Sequence, residues 1–287
     1  MINSRYIFTV VAGRSGQATL TEVLRRHAIG CFPAFEAPSP KLIFSGPLGR
    51  VENKFRRKFL ETNELLGRGK VLRAFEQRDV DYLEKVAKQR LKMIERDLIK
   101  TDSTTYIDIS KFFARGLHIG FRKLLPEISL IHLVRDPLAN MCSFLNRSKN
   151  FSLDNSFPDM PSNLLRLDSR DMSLGELYLW AWCELYLRFE QMIDEGGVSH
   201  FTELRTEKLN DSKYLSDRLK ELDLSFTPIE SVGKLNTNAG QGFRETRIDI
   251  ESIAVFDRFI GRLSGKTLDR IRYFSEYDPR RSALVTF

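Results

Sequence analysis

The sequence predicts an α/β protein, a single domain over residues 1–287 in which a central parallel sheet carries helices on both faces. Two observations lead to this prediction. Runs such as residues 6–12 and 128–134 are short, predominantly apolar and rich in β-branched side chains, as are strands buried on both faces of a sheet. Longer stretches with helical spacing of apolar residues, such as 81–100, separate these runs. Strands that alternate with helices imply right-handed crossovers and parallel pairing.

The other elements are predicted from apolar spacing, capping residues and helix breakers. Residues 173–176, Ser-Leu-Gly-Glu, have the pattern of a capping box and open a long aromatic helix. Residues 31–49, crowded with Pro and Gly, and the polar residues 148–172 are predicted to be loops. Further strands are predicted at 104–110 and 198–204, and further helices at 20–28, 112–125, from about 138, and at 215–222, 250–263 and 268–274.

Composition narrows the class of protein. The chain has 287 residues, 42% of them hydrophobic, which is enough for a sizeable core. A net charge of +7 favours anionic ligands, but no stripe of basic and aromatic residues indicates nucleic acid. The cysteines Cys31, Cys142 and Cys183 are far apart in apolar surroundings, as buried thiols in a reducing compartment are. We therefore expect a cytoplasmic protein with no metal centre and no stable membrane insertion, and leave a homodimer open.

A glycine loop follows the first predicted strand. It consists of Gly13, Arg14, Ser15, Gly16, Gln17, Ala18 and Thr19. The two glycines let the backbone approach an anion, and the N–H groups and dipole of the following helix favour a phosphate there. Arg14, Ser15 and Thr19 add side-chain donors. Ala18 stands where a nucleoside triphosphatase loop has its lysine, which disfavours a β/γ-phosphate ligand.

A second candidate for anion binding follows the strand predicted at 128–134. Arg135 comes directly after that strand, and Ser143 lies eight positions further on in the next helix. Ligands of open α/β sheets bind at the carboxyl ends of the strands. There an arginine can make a forked contact with a phosphate, and the serine can donate its hydroxyl. The alternative interpretation is that Asp136 and Pro137 merely begin a helix.

Together the two motifs, GRSG after the first strand and LVRDP with a serine eight residues past the arginine, resemble the sulfotransferases that use 3′-phosphoadenosine 5′-phosphosulfate (PAPS). The likeness is greatest to carbohydrate-type and bacterial members. It runs in order along the chain, through YIDIS, LYLWAWCELYL and VSHFTEL, although only the two phosphate motifs are specific. The resemblance implies a P-loop-like fold and sulfuryl transfer to a hydroxyl of a glycan, glycolipid or small metabolite, without a metal. Adenosine 3′,5′-bisphosphate would be the leaving product.

The resemblance also implies roles for the donor-binding residues. The glycine loop, residues 13–19, would hold the 5′ phosphosulfate end, with Arg14 stabilising charge on the departing phosphate. Arg135 and Ser143 would hold the 3′-phosphate. Lys234 and Asn236 lie in a polar loop at the place where the family often closes over the nucleotide.

A carboxylate base is implied as well, because an acceptor hydroxyl must lose its proton. Glu36, in FPAFEAPSP, stands where glycan-type members carry such a carboxylate, and Asp108, in YIDIS, is the second candidate. The chain departs from the family pattern at Gln17 and Ala18, where small hydroxyl residues are common. Ile109 and Lys111 likewise replace a frequent lysine and proline. These departures leave two alternatives open: a catalytically silent nucleotide-binding protein of the same fold, and a P-loop kinase.

Overall fold

The sheet lies at the centre of the fold. The structure, a computed structural model, describes residues 4–38, 44–59, 62–146, 151–229 and 248–275. Within these ranges the strands form one sheet of five, all parallel. The strands are β1 (Arg5–Val10), β2 (Cys31–Phe35), β3 (Thr105–Ile109), β4 (Ile128–Val134) and β5 (Val198–Arg205).

Helices connect the strands and follow the last of them. Short 3₁₀ turns lie at Phe113–Arg115, Phe151–Leu153 and Thr206–Lys208. No helix in the described ranges is long and apolar enough to cross a membrane. The α-helices are α1 (Gln17–His27), α2 (Gly46–Phe59), α3 (Thr62–Leu65), α4 (Lys70–Glu76), α5 (Val80–Thr101), α6 (Leu117–Leu124), α7 (Pro137–Leu145), α8 (Leu174–Asp194), α9 (Ser212–Lys220), α10 (Ile250–Ile260), α11 (Gly265–Arg270) and α12 (Arg272–Ser275).

The strand order is β2-β3-β1-β4-β5, with the first strand at the centre. Strand β1 pairs with β3 on one side and β4 on the other, so that Ile7 has Ile107 and Ser129 as neighbours. The carboxyl ends of parallel strands meet at one edge, and the segment after β1 therefore lies between those after β3 and β4. This sheet confirms the predicted α/β class.

Helices cover both faces of the sheet, which explains the apolar strands. Successive residues of a strand point to opposite faces. Phe8 and Val10 belong to a core that includes residues of α4, α5, α6 and α8, whereas Ile7 and Val11 belong to a core with α1 and α9. A third core joins the end of β4 to α7, α8 and α10. Both sides of β1 are thus buried, as its continuous apolar sequence predicted.

The prediction of a continuous loop over residues 31–49 is wrong. Residues 31–35 form β2, and α2 begins at Gly46. Pro33 suggested a loop because proline cannot donate to a sheet ladder. Strand β2 lies at the edge of the sheet, where a missing N–H is tolerated, and Ala34 packs in the core.

The predicted helix over residues 112–125 is divided. A 3₁₀ turn, Phe113–Arg115, is followed by Gly116 with φ 147°, and α6 begins after it. That backbone angle, which L residues with a side chain rarely adopt, breaks the α-helical run.

The predicted capping box at the start of α8 is confirmed. Ser173 N–H donates to Glu176 Oε2 over 2.9 Å, and Glu176 N–H donates to Ser173 Oγ over 3.3 Å.

Candidate functional site

The glycine loop joins the end of β1 to the start of α1 at the carboxyl edge of the sheet. Gly13 and Gly16 have φ angles of 98° and 77°, which glycine adopts without steric cost. A Cβ on Gly16 would stand only 2.7 Å from Leu209 Cδ1, so any other residue there would also displace the Leu209 side chain. Arg14 has φ 61°, a left-handed conformation that is uncommon outside glycine and is concentrated at functional sites.

Buried polar side chains fix this loop in place. Tyr178 OH lies 3.0 Å from the carbonyl oxygen of Gly13 and is hydrogen-bonded to Asn140 Oδ1. Asn140 Nδ2 donates to Ser15 Oγ over 2.7 Å, and Ser15 Oγ lies 3.2 Å from the Gly13 oxygen. Asn140, Ser15 and Tyr178 are all buried. A buried network whose members satisfy one another holds the loop rigidly before any ligand arrives.

The second anion motif meets the glycine loop. Arg135 follows β4, and its NH1 donates to the carbonyl oxygen of Arg14 over 3.0 Å. Arg14 Nε donates to Ser143 Oγ, in α7, over 3.4 Å. Trp182 Nε1 donates to the carbonyl oxygen of Arg135 over 3.2 Å and so fixes the backbone directly after β4. The fold thus brings together residues that are more than a hundred positions apart in the sequence.

The loop residues fit a phosphate-bearing ligand such as PAPS. Gln17, the first residue of α1, is 8% exposed, and its Nε2 has no hydrogen-bond partner among the described residues. The first turn of α1 carries no acidic residue, so nothing there opposes an anion. A ligand with several acceptor oxygens would satisfy this buried amide together with the loop N–H groups.

Basic side chains surround Asp154 beside the loop, on the β3 side. Lys111 Nζ lies 2.7 Å from Asp154 Oδ2, and Arg68 NH2 lies 2.9 Å from Oδ1. Arg115 donates to the carbonyl oxygens of Asp154 and Ala12, over 2.8 and 3.0 Å. Burial pulls the pKa of Asp154 upward, but the three cations outweigh it and lower this pKa to about 2. Positive charge exceeds negative charge in this cluster, which favours anionic ligands nearby.

Glu36 lies at the same edge of the sheet, directly after β2. Its N–H donates to the carbonyl oxygen of Ile109 over 3.2 Å, which ties it to the end of β3. The side chain is half-buried, and its charge is close enough to interact with Asp108 and Arg115. Glu36 has φ 43°, a second left-handed residue among the predicted site residues. Such strain costs about 1–3 kcal/mol and persists where the surrounding structure enforces it.

Asp108 has a different environment. It lies within β3, is fully buried, and accepts a hydrogen bond of 2.7 Å from Arg90 NH2. Arg90 is 1% exposed and also donates to the carbonyl oxygen of Leu65 over 2.9 Å. Burial raises the pKa of Asp108 to about 6, against the opposing effect of Arg90. Of the two candidate bases, Glu36 is therefore the one that solvent reaches.

Two predicted site residues, Lys234 and Asn236, lie outside the described residues. Within the described ranges, no group of three or more His, Cys, Asp or Glu side chains is arranged to hold a metal ion. The three cysteines are free thiols.

Sequence reasoning missed the residues that support the loop. Thr206, just after β5, places its hydroxyl 2.9 Å from the carbonyl oxygen of Ser15 and 3.0 Å from that of Val134. It therefore joins the glycine loop to the end of β4. Its position directly after a strand was the available signal. Asn140 and Tyr178 gave none, because each lies on a helix whose apolar spacing accounts for the sequence around it.

Comparisons with known proteins give a likeness to solved structures but not to known sequences. No protein-family model and no curated protein sequence matches this chain. Among solved structures, it is similar to the sulfotransferase domain of the olefin synthase from Synechococcus PCC 7002. The identity is 16%, the TM-score is 0.44, and the match covers 92% of this chain and 98% of that one. At such identity, nothing about substrate or chemistry follows from the likeness.

Proposed function

We propose that this protein transfers a sulfuryl group from PAPS to an acceptor hydroxyl. The observation that carries the proposal is the meeting of the two anion motifs, in which Arg14 contacts Ser143 and Arg135 contacts the Arg14 carbonyl. A single phosphate loop would suit many nucleotides. A second arginine and serine beside it favour a ligand with two separate phosphate ends, such as the 3′- and 5′-phosphates of PAPS. The absence of the triphosphatase lysine at Ala18 agrees with such a ligand.

Different residues would bind the two ends of the donor. Residues 13–19 would bind the 5′ end through backbone N–H groups and the positive end of α1. Arg135 and Ser143 would bind the 3′-phosphate. A guanidinium carries five N–H donors, and the bond from Arg135 to Arg14 uses one of them. Arg135 can therefore hold the loop and a phosphate together.

The bound donor supplies an activated sulfuryl group. The protein positions the donor and the acceptor, stabilises the negative charge that develops, and supplies a general base. Glu36 accepts the proton of the acceptor hydroxyl while the hydroxyl oxygen bonds to sulfur. The bond between sulfur and the 5′-phosphate oxygen breaks, and its electron pair leaves with that phosphate. Arg14 and the loop N–H groups stabilise the charge that develops there. As in phosphoryl transfer, positioning and electrostatic stabilisation would provide most of the rate acceleration.

Calorimetry tests the donor class. We expect adenosine 3′,5′-bisphosphate to bind without metal and more tightly than ATP with magnesium, because the site offers two anion motifs and no triphosphatase lysine. Tighter binding of ATP–magnesium would overturn the sulfotransferase proposal and favour a kinase. Binding of the bisphosphate without sulfuryl transfer to any member of a broad panel of hydroxyl acceptors would favour the silent nucleotide-binding alternative.

Arg135→Ala tests the second anion motif. The variant should weaken binding of adenosine 3′,5′-bisphosphate by about 10- to 150-fold, the worth of a charge-assisted hydrogen bond. Binding of adenosine 5′-phosphate, which lacks the 3′-phosphate, should change far less. Titration calorimetry on both ligands measures the difference. Arg96→Ala, which removes an exposed arginine from α5, is the matched control. Equal losses for both ligands would contradict the assignment of Arg135 to the 3′-phosphate.

A further inference from the structure

Helix α2 exposes apolar side chains to solvent. Leu48 and Val51 are 65% and 64% exposed, and Phe44, just before the helix, is 55% exposed. Arg50 and Lys54 are exposed as well, so charged and apolar residues both face solvent. The helix packs mainly against the short α3 rather than on the sheet.

The exposed apolar residues share one side of the helix. Leu48, Val51 and Phe55 are spaced as i, i+3 and i+7, which places them in one row along an α-helix. We call Leu48, Val51 and Phe55, with Phe44 preceding them, the apolar stripe. Arg50 and Lys54 fall outside this row. The helix is therefore amphipathic, but its apolar side is not turned to the core.

The sequence of α2 is strongly basic. Its 14 residues, GPLGRVENKFRRKF, include five basic residues and one acidic residue. The whole chain carries a net charge of +7, so this helix holds a large share of the positive excess. A helix of this length is marginally stable alone in water and gains its stability by burying an apolar face. The basic composition of α2 and its exposed apolar side both point to a partner surface that is apolar within and negatively charged outside.

We propose that α2 lies on the surface of a lipid bilayer containing anionic lipids. An interfacial helix of this kind buries an apolar stripe at the level of the lipid headgroups and keeps basic side chains against their phosphates. At about 21 Å the helix is too short, and too charged, to span the bilayer. Pairing with α2 of a second copy would bring the two basic sequences together, and their repulsion disfavours that occupant.

The attachment of α2 relates this surface to the candidate site. Glu36, which precedes α2 in the sequence, is bonded to the end of β3, and Arg68, which follows α3, contacts Asp154 beside the glycine loop. Described residues on both sides of α2 are thus attached at the edge that carries the site. Taken with the proposed function, on which this step alone rests, the arrangement favours an acceptor hydroxyl carried by a membrane lipid.

Sedimentation with vesicles tests the proposal on the full chain. The protein should sediment with vesicles of phosphatidylcholine and phosphatidylglycerol, much less with phosphatidylcholine alone, and less as salt is raised. Arg50→Gln with Lys54→Gln should weaken binding to the anionic vesicles by about 25-fold, at about fivefold per basic residue. Leu48→Gln with Val51→Gln should weaken it by about tenfold or more, because two apolar side chains no longer insert.

Controls separate this surface from other exposed apolar residues. Ile99→Gln with Ile250→Gln changes side chains that are 69% and 86% exposed elsewhere and should leave vesicle binding unchanged. Equal binding by the Leu48 and Val51 variant would overturn the proposal. The proposal would also be overturned if the parent protein did not bind vesicles but formed a dimer in sedimentation velocity that the Leu48 and Val51 variant abolished. Calorimetry with adenosine 3′,5′-bisphosphate reports on the proposed function separately, so that either inference can fail without the other.

Discussion

Glu36→Gln should reduce the rate of sulfuryl transfer by about 100- to 10,000-fold, the usual contribution of a general base. Glutamine has nearly the same shape and keeps a hydrogen-bonding oxygen, but it cannot take the proton of the acceptor hydroxyl. The backbone of Glu36 is fixed by its bond to Ile109, and the side chain is half-buried at the edge that carries the glycine loop. Transfer of labelled sulfate from PAPS to a hydroxyl acceptor measures the effect.

Binding of adenosine 3′,5′-bisphosphate to Glu36→Gln should match that of the parent, because the donor is assigned to other residues. Glu127→Gln is the matched control. Glu127 is an exposed glutamate just before β4, at the opposite, amino-terminal edge of the sheet, and its loss should not affect transfer. If Glu36→Gln retained the rate of the parent, the base would have to be sought elsewhere.

The sequence predicted which residues lie at the carboxyl edge of the sheet better than it predicted the contacts among the site residues. The apolar residues 128–134 predict a strand, because buried parallel strands are apolar, and the position of Arg135 at the carboxyl edge follows from that strand alone. Local rules of this kind also predicted the capping box at Ser173. By contrast, Pro33 obscured β2, since the rule against proline in strands holds for central strands and not for edges.

Long-range polar contacts could not be predicted in the same way. The hydroxyl of Tyr178 reaches the carbonyl of Gly13 across 165 positions, and Arg90 meets Asp108 only because α5 packs on the sheet. Both pairs depend on how the elements dock, which apolar periodicity does not specify. Because YIDIS ends a strand at the ligand edge, Asp108 was a reasonable candidate base. Its buried partner is visible only in the fold.

Asp108→Ala should lower the free energy of unfolding by about 3–5 kcal/mol, because it leaves the Arg90 guanidinium without its carboxylate. Arg90 is 1% exposed, so bulk solvent does not stabilise its charge. The bonds from Arg90 to the carbonyl oxygens of Leu65 and Leu66 do not neutralise its charge. Urea unfolding of parent and variant measures the loss. A variant as stable as the parent would show that the bond between Arg90 and Asp108 does not stabilise the fold.

A double variant, Arg90→Met with Asp108→Leu, separates stability from chemistry. Replacing both charges with apolar side chains of similar volume should restore most of the lost stability. Because the double variant is folded and lacks Asp108, transfer in it should persist with Glu36 as base. Loss of transfer there, with the bisphosphate still bound, would instead make Asp108 the base.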